Sequence, residues 1–432
     1  HLPNRNLIED RLAVAVGALG RRELPMGLML LDIDRFKVVN DSLGHEVGDR
    51  VLVEMGARLA AAVRPGDTVG RFGGDEFVVI CEELTSAGEA LGIAQRVQEA
   101  MGRPIVVEGN ELVLSISTGI ALATDPATPP GSLLRDADSA MHHAKRSGRA
   151  RSVVFVDEMR DQALGRLETE TQLRRAIAEG QLRVHYQPIL GLASRTVTGV
   201  EALVRWQHPT RGMVQPSDFI PIAEETGLIV PLGEWVLEQA CHQLTAWNVL
   251  MPELTVSVNL SGVQITQPDI VRRIAAIIDR TGVDPSRVAL EITESVLMRD
   301  AEDTLSVLRG LKDLGVKLHV DDFGTGYSSL SYLKRFPVDA LKVDRSFVDG
   351  LAADPEDIAI VAAIVGLAYS LGMATIAEGV ETTAQLEALE ALGCESAQGF
   401  LFSRPLVAGD IATVVAKIPA ARRSLESMTR ID

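Results

Sequence analysis

Cysteine is scarce in this chain: Cys81, Cys241 and Cys394 are the three among 432 residues. They are odd in number, far apart and without CxxC or Cys/His spacing, which excludes a disulfide framework and a zinc site and favours the cytoplasm. We expect no signal peptide. The first residue is His rather than Met, so we expect the chain to be part of a longer protein.

A surplus of basic residues is also missing. The 42 Lys and Arg residues face 59 Asp and Glu residues, a formal net charge of −17, which argues against a binder of DNA, RNA or anionic membranes. Long apolar runs are few. Residues 358–377 carry no charge, but their glycine, serine and threonine positions indicate a buried helix and a buried strand rather than a membrane span. With 46% hydrophobic residues the chain can build a core, and disorder is excluded.

Two patterns of secondary structure divide the chain. Residues 1–157 alternate strand-like runs with long amphipathic helices, which predicts one α/β domain with a central sheet. Residues 158–179 are polar and favour a helix, and we interpret them as a connecting helix. Residues 180–415 contain eight short β-branched runs with helices between them, which predicts a (β/α)8, TIM-like barrel. Residues 416–432 form a tail.

The segment RFGGDEFVVI places Gly73 and Gly74 between two strand-like pieces. Paired glycines favour a hairpin, because both turn positions can take a positive φ without a clash of Cβ. Asp75 and the following glutamate then lie at the tip, while Asp32 and Asp34 end another apolar strand. Acids at neighbouring strand ends can share a divalent cation, and Mg²⁺ prefers oxygen ligands together with phosphate. A lone acidic hairpin would be no more than a soluble surface.

On this motif the first domain, residues 1–157, resembles the GGDEF diguanylate cyclases, which have a nucleotidyl-cyclase-like α/β fold. The resemblance implies that two GTP molecules, one in each domain of a homodimer, are condensed with Mg²⁺ into cyclic di-GMP. The matching positions imply Asp32, Asp75 and the Ile33 carbonyl for metals, Glu76 for activating the 3′-hydroxyl, Gly73 and Gly74 for the GTP-binding turn, Asn40 and Asp49 for the guanine edge, and Lys37, Lys145 and Arg149 for phosphates.

Upstream of the hairpin, Arg64 and Asp67 match the RxxD inhibitory site of this family, which binds the product cyclic di-GMP. An arginine fork suits a phosphate or a guanine edge. The four-residue pattern alone is as typical of a turn, but its offset from Gly73 agrees with the family. The chain departs from the family at His142, where Tyr is frequent, and at Ala150, where Asn is common.

In the second half, polar side chains stand near the ends of seven successive predicted strands. The C-terminal strand ends of such a barrel form the active-site face. Acids that converge there would repel each other without cations, and a pair of divalent metals removes the conflict. Capping of the next helix would explain any one of these residues, but not all of them. The residues are Glu201, Asn259, Glu291, Asp321, Asp322, Lys342, Glu378 and Gln398.

This set, with the motifs EALVRW, EITES, DDFGTGYSSL, LKVDRSF, IAEGVE and QGFLFSRP, resembles the EAL phosphodiesterases over residues 165–415. The resemblance implies hydrolysis of cyclic di-GMP to linear pGpG with two Mg²⁺ or Mn²⁺ ions and an attacking water. It implies Glu201, Asn259, Glu291, Asp321 and Asp322 as metal ligands, Lys342 and Glu378 as catalytic residues with the lysine helping the water lose its proton, Gln187, Arg205 and Gln398 as cyclic di-GMP ligands, and Glu294 and Glu381 as supports of the DDFGTGYSSL loop.

Other residues near the strand ends have simpler interpretations. His185, His208 and His319 are expected to be satisfied core or rim histidines. The three tryptophans are expected to pack in the core, and Tyr327 is a candidate loop contact.

The leading hypothesis is a bifunctional enzyme that makes and destroys cyclic di-GMP, because both motif sets are complete. The first alternative is a phosphodiesterase whose GGDEF domain is a GTP-binding regulator. The second is a cyclic di-GMP receptor without turnover. We expect GTP and cyclic di-GMP as ligands, a homodimer, a sensor domain before residue 1, and a cytoplasmic location, free or as part of a membrane-attached sensor. Which activity dominates, and which signal controls it, is not encoded in these motifs.

Overall fold

The computed structural model describes residues 2–22, 24–107, 109–248, 251–298, 301–325 and 330–415. The chain divides into two compact units, His1–Leu167 and Glu168–Asp432. The predicted tail lies outside the described residues. The division falls inside one helix, Asp157–Ala178, so the predicted domain boundaries at residues 157 and 179 stay predictions.

The first unit is an α/β domain with a central sheet, as predicted. Its described strands are β1 Met26–Ile33, β2 Thr68–Gly73, β3 Glu76–Cys81, β4 Ile105–Val107, β5 Asn110–Leu112, β6 Ile116–Ala123 and β7 Ser152–Val154. Its helices are α1 Arg5–Arg22, α2 Phe36–Leu43, α3 His45–Ala62, α4 Ala87–Met101, α5 Pro130–Arg146 and the start of α6 Asp157–Ala178. The sheet has the order β2-β3-β1-β6-β7, and β4 pairs with β5 separately.

Strand β1 lies at the centre of this sheet, and all eight of its residues are buried. It pairs antiparallel with β3 and with β6. Alternate side chains point to opposite faces of a strand, so full burial means that both faces are covered. Met29 and Leu31 join the core cluster that includes residues of α3 and α4, whereas Leu28 and Leu30 join the cluster that includes residues of α1 and α5.

The second unit is a closed barrel of eight strands. Its described strands are β8 Leu182–Gly191, β9 Thr196–His208, β10 Gly212–Val214, β11 Thr255–Asn259, β12 Val288–Thr293, β13 Lys317–Phe323, β14 Ala340–Val343, β15 Ala374–Ala377, β16 Ser396–Gln398 and β17 Leu406–Val407. The closed order is β9-β11-β12-β13-β14-β15-β16-β8, and β8 pairs with β9; β10 and β17 are added to β9 and β8.

Helices follow most barrel strands. They are α7 Pro216–Thr226, α8 Ile229–Trp247, α9 Gly262–Ile265, α10 Ile270–Thr281, α11 Glu294–Leu297, α12 Ala301–Asp313, α13 Leu330–Leu333, α14 Arg345–Asp349, α15 Pro355–Leu371 and α16 Thr383–Ala391, with a 3₁₀ turn at Pro285–Arg287. The uncharged stretch 358–377 consists of most of α15 followed by β15, as predicted. Among the described residues, no helix combines the length and the apolar character that a membrane span needs.

The prediction of a helical crossover after every strand is wrong for the first pair. Strands β8 and β9 are antiparallel and are joined by residues 192–195 alone. A connection of this length makes a hairpin, because a parallel neighbour requires a crossover of a dozen residues or more. Strand β8 also runs antiparallel to β16, whereas β9 and β11 to β16 are mutually parallel.

Candidate active sites of the two units

The GGDE hairpin connects β2 to β3, with Gly73 opposite Glu76. The expected positive φ is wrong at both glycines, since neither Gly73 nor Gly74 is among the positive-φ residues. The turn is held instead by Arg71, whose guanidinium donates to the Gly74 carbonyl at 2.7 Å and 3.1 Å. A Cβ on Gly74 would meet no atom within 4 Å, so the tip is open to a ligand.

Three acids and a lysine meet beside this hairpin. Asp32 on β1 is paired with Glu76 on β3, and the Ile33 amide donates to the Asp75 carbonyl at 3.4 Å. Lys145 Nζ lies 2.7 Å from Asp32 Oδ2. Burial raises the pKa of Asp32 although Lys145 opposes it, and burial together with the charge of Asp32 raises the pKa of Glu76. Such a site gains from a cation.

Asp34 has a different role from its neighbour Asp32. Its carboxylate accepts from Ser115 Oγ and Ser117 Oγ at 2.7 Å each, and from the Ala150 amide at 3.2 Å. Arg149 and Ala150 both have left-handed backbones, with φ of 60° and 49°. Asp34 therefore ties the end of β1 to β6 and to the turn that carries Arg149, and these three bonds occupy its oxygens.

A cavity of about 390 Å³ opens between α2, α3 and the hairpin tip. The predicted guanine-binding and phosphate-binding residues Lys37, Asn40 and Asp49 line it together with the hairpin tip. Lys145 and Arg149 are not among its lining residues. The lining residues are Phe36, Lys37, Asn40, Asp41, His45, Asp49, Leu52, Arg71, Gly74 and Asp75.

The RxxD segment forms a turn in this structure. The Arg64 amide donates to Asp67 Oδ2 at 3.1 Å, and the Asp67 amide donates to the Arg64 carbonyl at 3.0 Å. The Arg64 guanidinium is paired with Glu89, in the first turn of α4. Burial raises the pKa of Asp67 in spite of Arg64. The inhibitory role of Arg64 and Asp67 stays a prediction.

Lys342 on β14 lies at the centre of the barrel site and is fully buried. Its Nζ is 2.7 Å from Glu291, 3.1 Å from Asp321, 2.5 Å from Glu378 and 4.0 Å from Glu201. These acids lie on β12, β13 and β9 and directly after β15. The parallel strands thus bring together the acids that the sequence predicted at one mouth.

Amide side chains hold the carboxylate of Glu201. Asn259 Nδ2 donates to its Oε1 at 2.8 Å, and Gln398 Nε2 donates to its Oε2 at 2.6 Å. Gln398 also donates to Gln187 Oε1 at 3.1 Å, and Gln187 donates to the Ser403 carbonyl at 3.1 Å. Two of the predicted metal ligands, Glu201 and Asn259, and two predicted substrate ligands therefore form one hydrogen-bonded network.

The cluster suits a divalent cation by its ligands and by its charge. Oxygens of Asp321, Asp322 and Glu378 lie within 4.8 Å of one another. Glu291 Oε1 and Gln398 Oε1 are buried without a hydrogen-bond partner among the described residues. Carboxylate and amide oxygens are the ligands that Mg²⁺ and Mn²⁺ prefer. Unpaired buried oxygens are unfavourable, and either a cation or a hydrogen-bond donor would satisfy them.

The crowding of these acids shifts their pKa values in opposite directions. Burial raises the pKa of Glu201 to about 7 and that of Glu378 to about 8, although Lys342 opposes both shifts. Burial alone would also raise the pKa of Glu291, but Lys342 and His319 lower it to about 2. Burial would lower the pKa of Lys342, yet the surrounding carboxylates raise it well above its usual value.

These pKa values predict how the stability of the barrel depends on pH. Between the usual value of 4.5 and about 8, the folded protein binds more protons at Glu201 and Glu378 than the unfolded chain does. The free energy of unfolding in a chelator should therefore fall from about pH 5 to about pH 8 and level off at higher pH. The low pKa of Glu291 acts at more acidic pH. Fluorescence of Trp206, Trp235 and Trp247, which all lie in the second unit, measures this unit alone. Saturating Mn²⁺ should cancel the fall, and a slope unchanged by Mn²⁺ would contradict the prediction.

The predicted loop supports have different contacts. Glu294 is buried, and its Oε2 accepts from the Gly324 amide at 2.8 Å. Gly324 lies two residues after Asp322, whose φ is 53°. Glu381 instead pairs with Arg345 at 2.9 Å, so its loop role stays a prediction. Residues 326–329 of the loop, including Tyr327, lie outside the described residues.

Arg345 was not predicted as a site residue, although it lies within the LKVDRSF motif. It lies over Gly379, which has a φ of 73° and follows Glu378 directly. A Cβ on Gly379 would overlap the aliphatic stem of Arg345. The turn that carries Glu378 therefore requires glycine for its backbone and for this contact.

Substitution of Gly379 by Ala should move Glu378 and weaken hydrolysis by about 10-fold or more, since small displacements in a site have large effects on rate. Gly372→Ala is the matched control, because Gly372 has a φ of 71° and open space at its Cβ position. Both variants should lose about 1 kcal/mol of stability from the strained backbone. Equal activities of the two variants would show that the Arg345 contact does not position Glu378.

Comparisons with known proteins agree with this geometry. The family model described as "Diguanylate cyclase, GGDEF domain" matches residues 1–151, and the family model described as "EAL domain" matches residues 170–405. The chain is 43% identical to the bifunctional diguanylate cyclase/cyclic di-GMP phosphodiesterase MucR of Pseudomonas aeruginosa, over 96% of this chain and 61% of that protein. It is 42% identical to the cyclic di-GMP phosphodiesterase NbdA of the same organism, over 88% and 49%.

The solved structure of the PaMucR phosphodiesterase in complex with c-di-GMP is 46% identical, with a TM-score of 0.55, over 56% of this chain and 99% of that chain. The chain spans about half to three-fifths of the length of the two curated relatives. The family descriptions match the two units in the predicted order. The chain therefore belongs to the EAL domain family, with a GGDEF domain preceding the EAL domain, and is related to proteins of cyclic di-GMP turnover.

Proposed function

We propose that the barrel hydrolyses cyclic di-GMP to linear pGpG with Mg²⁺ or Mn²⁺. The observation that carries this proposal is the fully buried Lys342 with four carboxylates within 4.0 Å of its Nζ at the barrel mouth. A structural barrel core gains nothing from such a cluster, because buried acids in excess of the ammonium are unfavourable. The relatives MucR, a bifunctional diguanylate cyclase/cyclic di-GMP phosphodiesterase, and NbdA, a cyclic di-GMP phosphodiesterase, support this proposal.

The cations would be held by the carboxylates and the amide oxygens of the barrel mouth. When bound, divalent ions stabilise negative charge on a phosphodiester and make a water more acidic. The residues assigned to them are Glu201, Asn259, Glu291, Asp321 and Asp322, with Glu378 beside the second ion.

The side chains around Lys342 divide the proton chemistry. The raised pKa of Lys342 keeps its ammonium protonated, so it stabilises anionic charge and does not accept a proton. Glu378 has a pKa of about 8 and lies 2.5 Å from that ammonium. We assign proton acceptance from the attacking water to Glu378, because one of its oxygens lies within 4.8 Å of oxygens of Asp321 and Asp322, the residues assigned to the ions.

Substrate recognition is assigned to the rim on the side of β8 and β9. Gln187 and Gln398 are already linked to Glu201 through hydrogen bonds. Arg205 lies on β9 beyond Glu201, is half-buried, and donates to the Val204 carbonyl at 2.8 Å. A guanidinium at this position provides positive charge for a phosphate of cyclic di-GMP.

A second activity, synthesis of cyclic di-GMP from two GTP, is favoured by the GGDEF unit. Asp32, Asp75 and Glu76 meet at one strand edge beside the cavity that Asn40 and Asp49 line. Synthesis requires a homodimer that aligns two GTP molecules with Mg²⁺. The alternatives are a GTP-binding regulator of a working phosphodiesterase and a cyclic di-GMP receptor without turnover.

One assay separates these functions. The full chain is incubated with Mg²⁺ or Mn²⁺ and either cyclic di-GMP or GTP, and the products are separated by chromatography. We expect pGpG from cyclic di-GMP, and no product in a chelator. A metal-loaded sample that binds cyclic di-GMP but releases no pGpG would contradict the phosphodiesterase and support the receptor without turnover. Formation of cyclic di-GMP from GTP supports the bifunctional enzyme, whereas GTP binding without product supports the regulator.

A further inference from the structure

Two unpaired polar atoms face each other beside Lys342. Glu291 on β12 and His319 on β13 are direct partners in the parallel register. His319 Nδ1 lies 3.8 Å from Glu291 Oε1, beyond hydrogen-bond distance, and neither atom has a hydrogen-bond partner among the described residues. His319 is 9% exposed and Glu291 is 1% exposed. The expectation that His319 is a satisfied core histidine is therefore wrong at Nδ1.

The other oxygen of Glu291 is already engaged, since Oε2 accepts from Lys342 Nζ at 2.7 Å. The two strands fix both Cα atoms, so a rotation of the imidazole is the movement that closes the remaining gap. Burial without a partner is unfavourable for a carboxylate oxygen and for a ring nitrogen, and one hydrogen bond satisfies both.

We propose that His319 is a positioning residue for the divalent cation: its Nδ1–H donates to Glu291 Oε1 and thereby directs Glu291 Oε2 toward the ion. This proposal rests on the proposed function through the assignment of Glu291 as a metal ligand. Carboxylates that bind metals are commonly oriented by such hydrogen bonds, whose loss weakens metal binding by about 10-fold to 100-fold.

His319 is not itself assigned as a ligand. Its Nδ1 faces a carboxylate oxygen that needs a donor, and a nitrogen that donates a proton cannot bind a cation.

Metal affinity without substrate tests the proposal. The tryptophan-monitored unfolding midpoint of the full chain is measured against Mg²⁺ or Mn²⁺ concentration, because an ion that binds the folded state alone raises the midpoint according to its affinity. We expect His319→Ala to weaken the ion by about 10-fold or more. His319→Asn should restore most of the affinity, since the Asn amide nitrogen occupies the place of Nδ1. His319→Gln should not, because its amide lies one bond farther out.

His208→Asn is the control, because His208 is equally buried but satisfied by Gln172 and by the Thr210 and Arg211 amides. It should leave metal affinity unchanged. Long-range ¹H–¹⁵N spectra of the Mg²⁺-loaded protein provide a second readout and should show the His319 proton on Nδ1.

Three results would overturn the proposal. They are wild-type affinity in His319→Ala, equal affinities of the Asn and Gln variants, or a proton on Nε2 alone. In each of these cases the wild type still binds the ion, and the proposed hydrolysis stands. A wild type whose midpoint responds to neither ion would overturn the metal assignment of Glu291 first, and this inference with it.

Discussion

Lys342→Met should unfold the metal-free barrel more easily, by about 3–5 kcal/mol, which is the usual effect of removing one partner from a buried ion pair. In the wild type the ammonium of Lys342 contacts or approaches four carboxylates, those of Glu201, Glu291, Asp321 and Glu378. In the variant these carboxylates surround an apolar side chain instead. Hydrolysis of cyclic di-GMP should fall by about 10²-fold to 10⁴-fold, the range for a residue that acts on protons and charge in a transition state.

The loss of stability should itself depend on pH. Glu201 and Glu378 have pKa values of about 7 and about 8, so near pH 6 these two acids are already mostly protonated. Removal of the ammonium raises these values further, and protonation then relieves the repulsion. The difference between Lys342→Met and the wild type should therefore be largest near pH 9 and smaller near pH 6.

The measurement is urea unfolding in a chelator, followed by the three tryptophans of the barrel unit. Lys312→Met is the matched control, since Lys312 binds Asp339 at 2.8 Å with its side chain 30% exposed. A partly exposed pair of this kind contributes about 1 kcal/mol or less. If Lys342→Met lowers the free energy of unfolding by no more than Lys312→Met at every pH, the ammonium does not hold the cluster together.

Sequence reasoning predicted the barrel and the meeting of its acids at one mouth for one physical reason. Each short β-branched run ends in a polar residue, and parallel strands of a barrel end at a common mouth. Glu201, Glu291, Asp321 and Glu378 could therefore be placed together before their distances were known. The buried strand β1 was predicted in the same way, from an apolar run that stops at carboxylates, whereas the acidic hairpin was predicted from its paired glycines.

The remaining features depend on register and on side-chain direction, which a linear pattern does not contain. Strand β8 is antiparallel to β9 because residues 192–195, which join them, are too few for a crossover connection. The pairing of Arg345 with Glu381 and the contact of His319 with Glu291 join side chains on neighbouring elements. The hairpin glycines gave the correct turn for the wrong reason, because Arg71 rather than a positive φ holds it.

Glu76→Ala and Glu201→Ala should separate the two activities of the full chain. Glu76 is at the start of β3 in the first unit, where burial and Asp32 raise its pKa, and its loss should reduce conversion of GTP by about 10²-fold to 10⁴-fold. Glu201 lies in the second unit, where it accepts from Asn259 and Gln398. Its loss should remove hydrolysis and leave cyclic di-GMP synthesis intact.

The pair of variants is informative because each serves as the control of the other. In the wild type, cyclic di-GMP formed from GTP is converted to pGpG. A measurement of cyclic di-GMP alone therefore underestimates synthesis. Glu201→Ala removes this drain, and cyclic di-GMP should accumulate from GTP in that variant more than in the wild type. If cyclic di-GMP stops accumulating early in Glu201→Ala but continues to accumulate in the double variant Glu201→Ala/Arg64→Ala, product inhibition through the RxxD site is supported. If Glu201→Ala forms no cyclic di-GMP while still binding GTP, the GGDEF unit is a regulator of the barrel, and the bifunctional proposal is wrong.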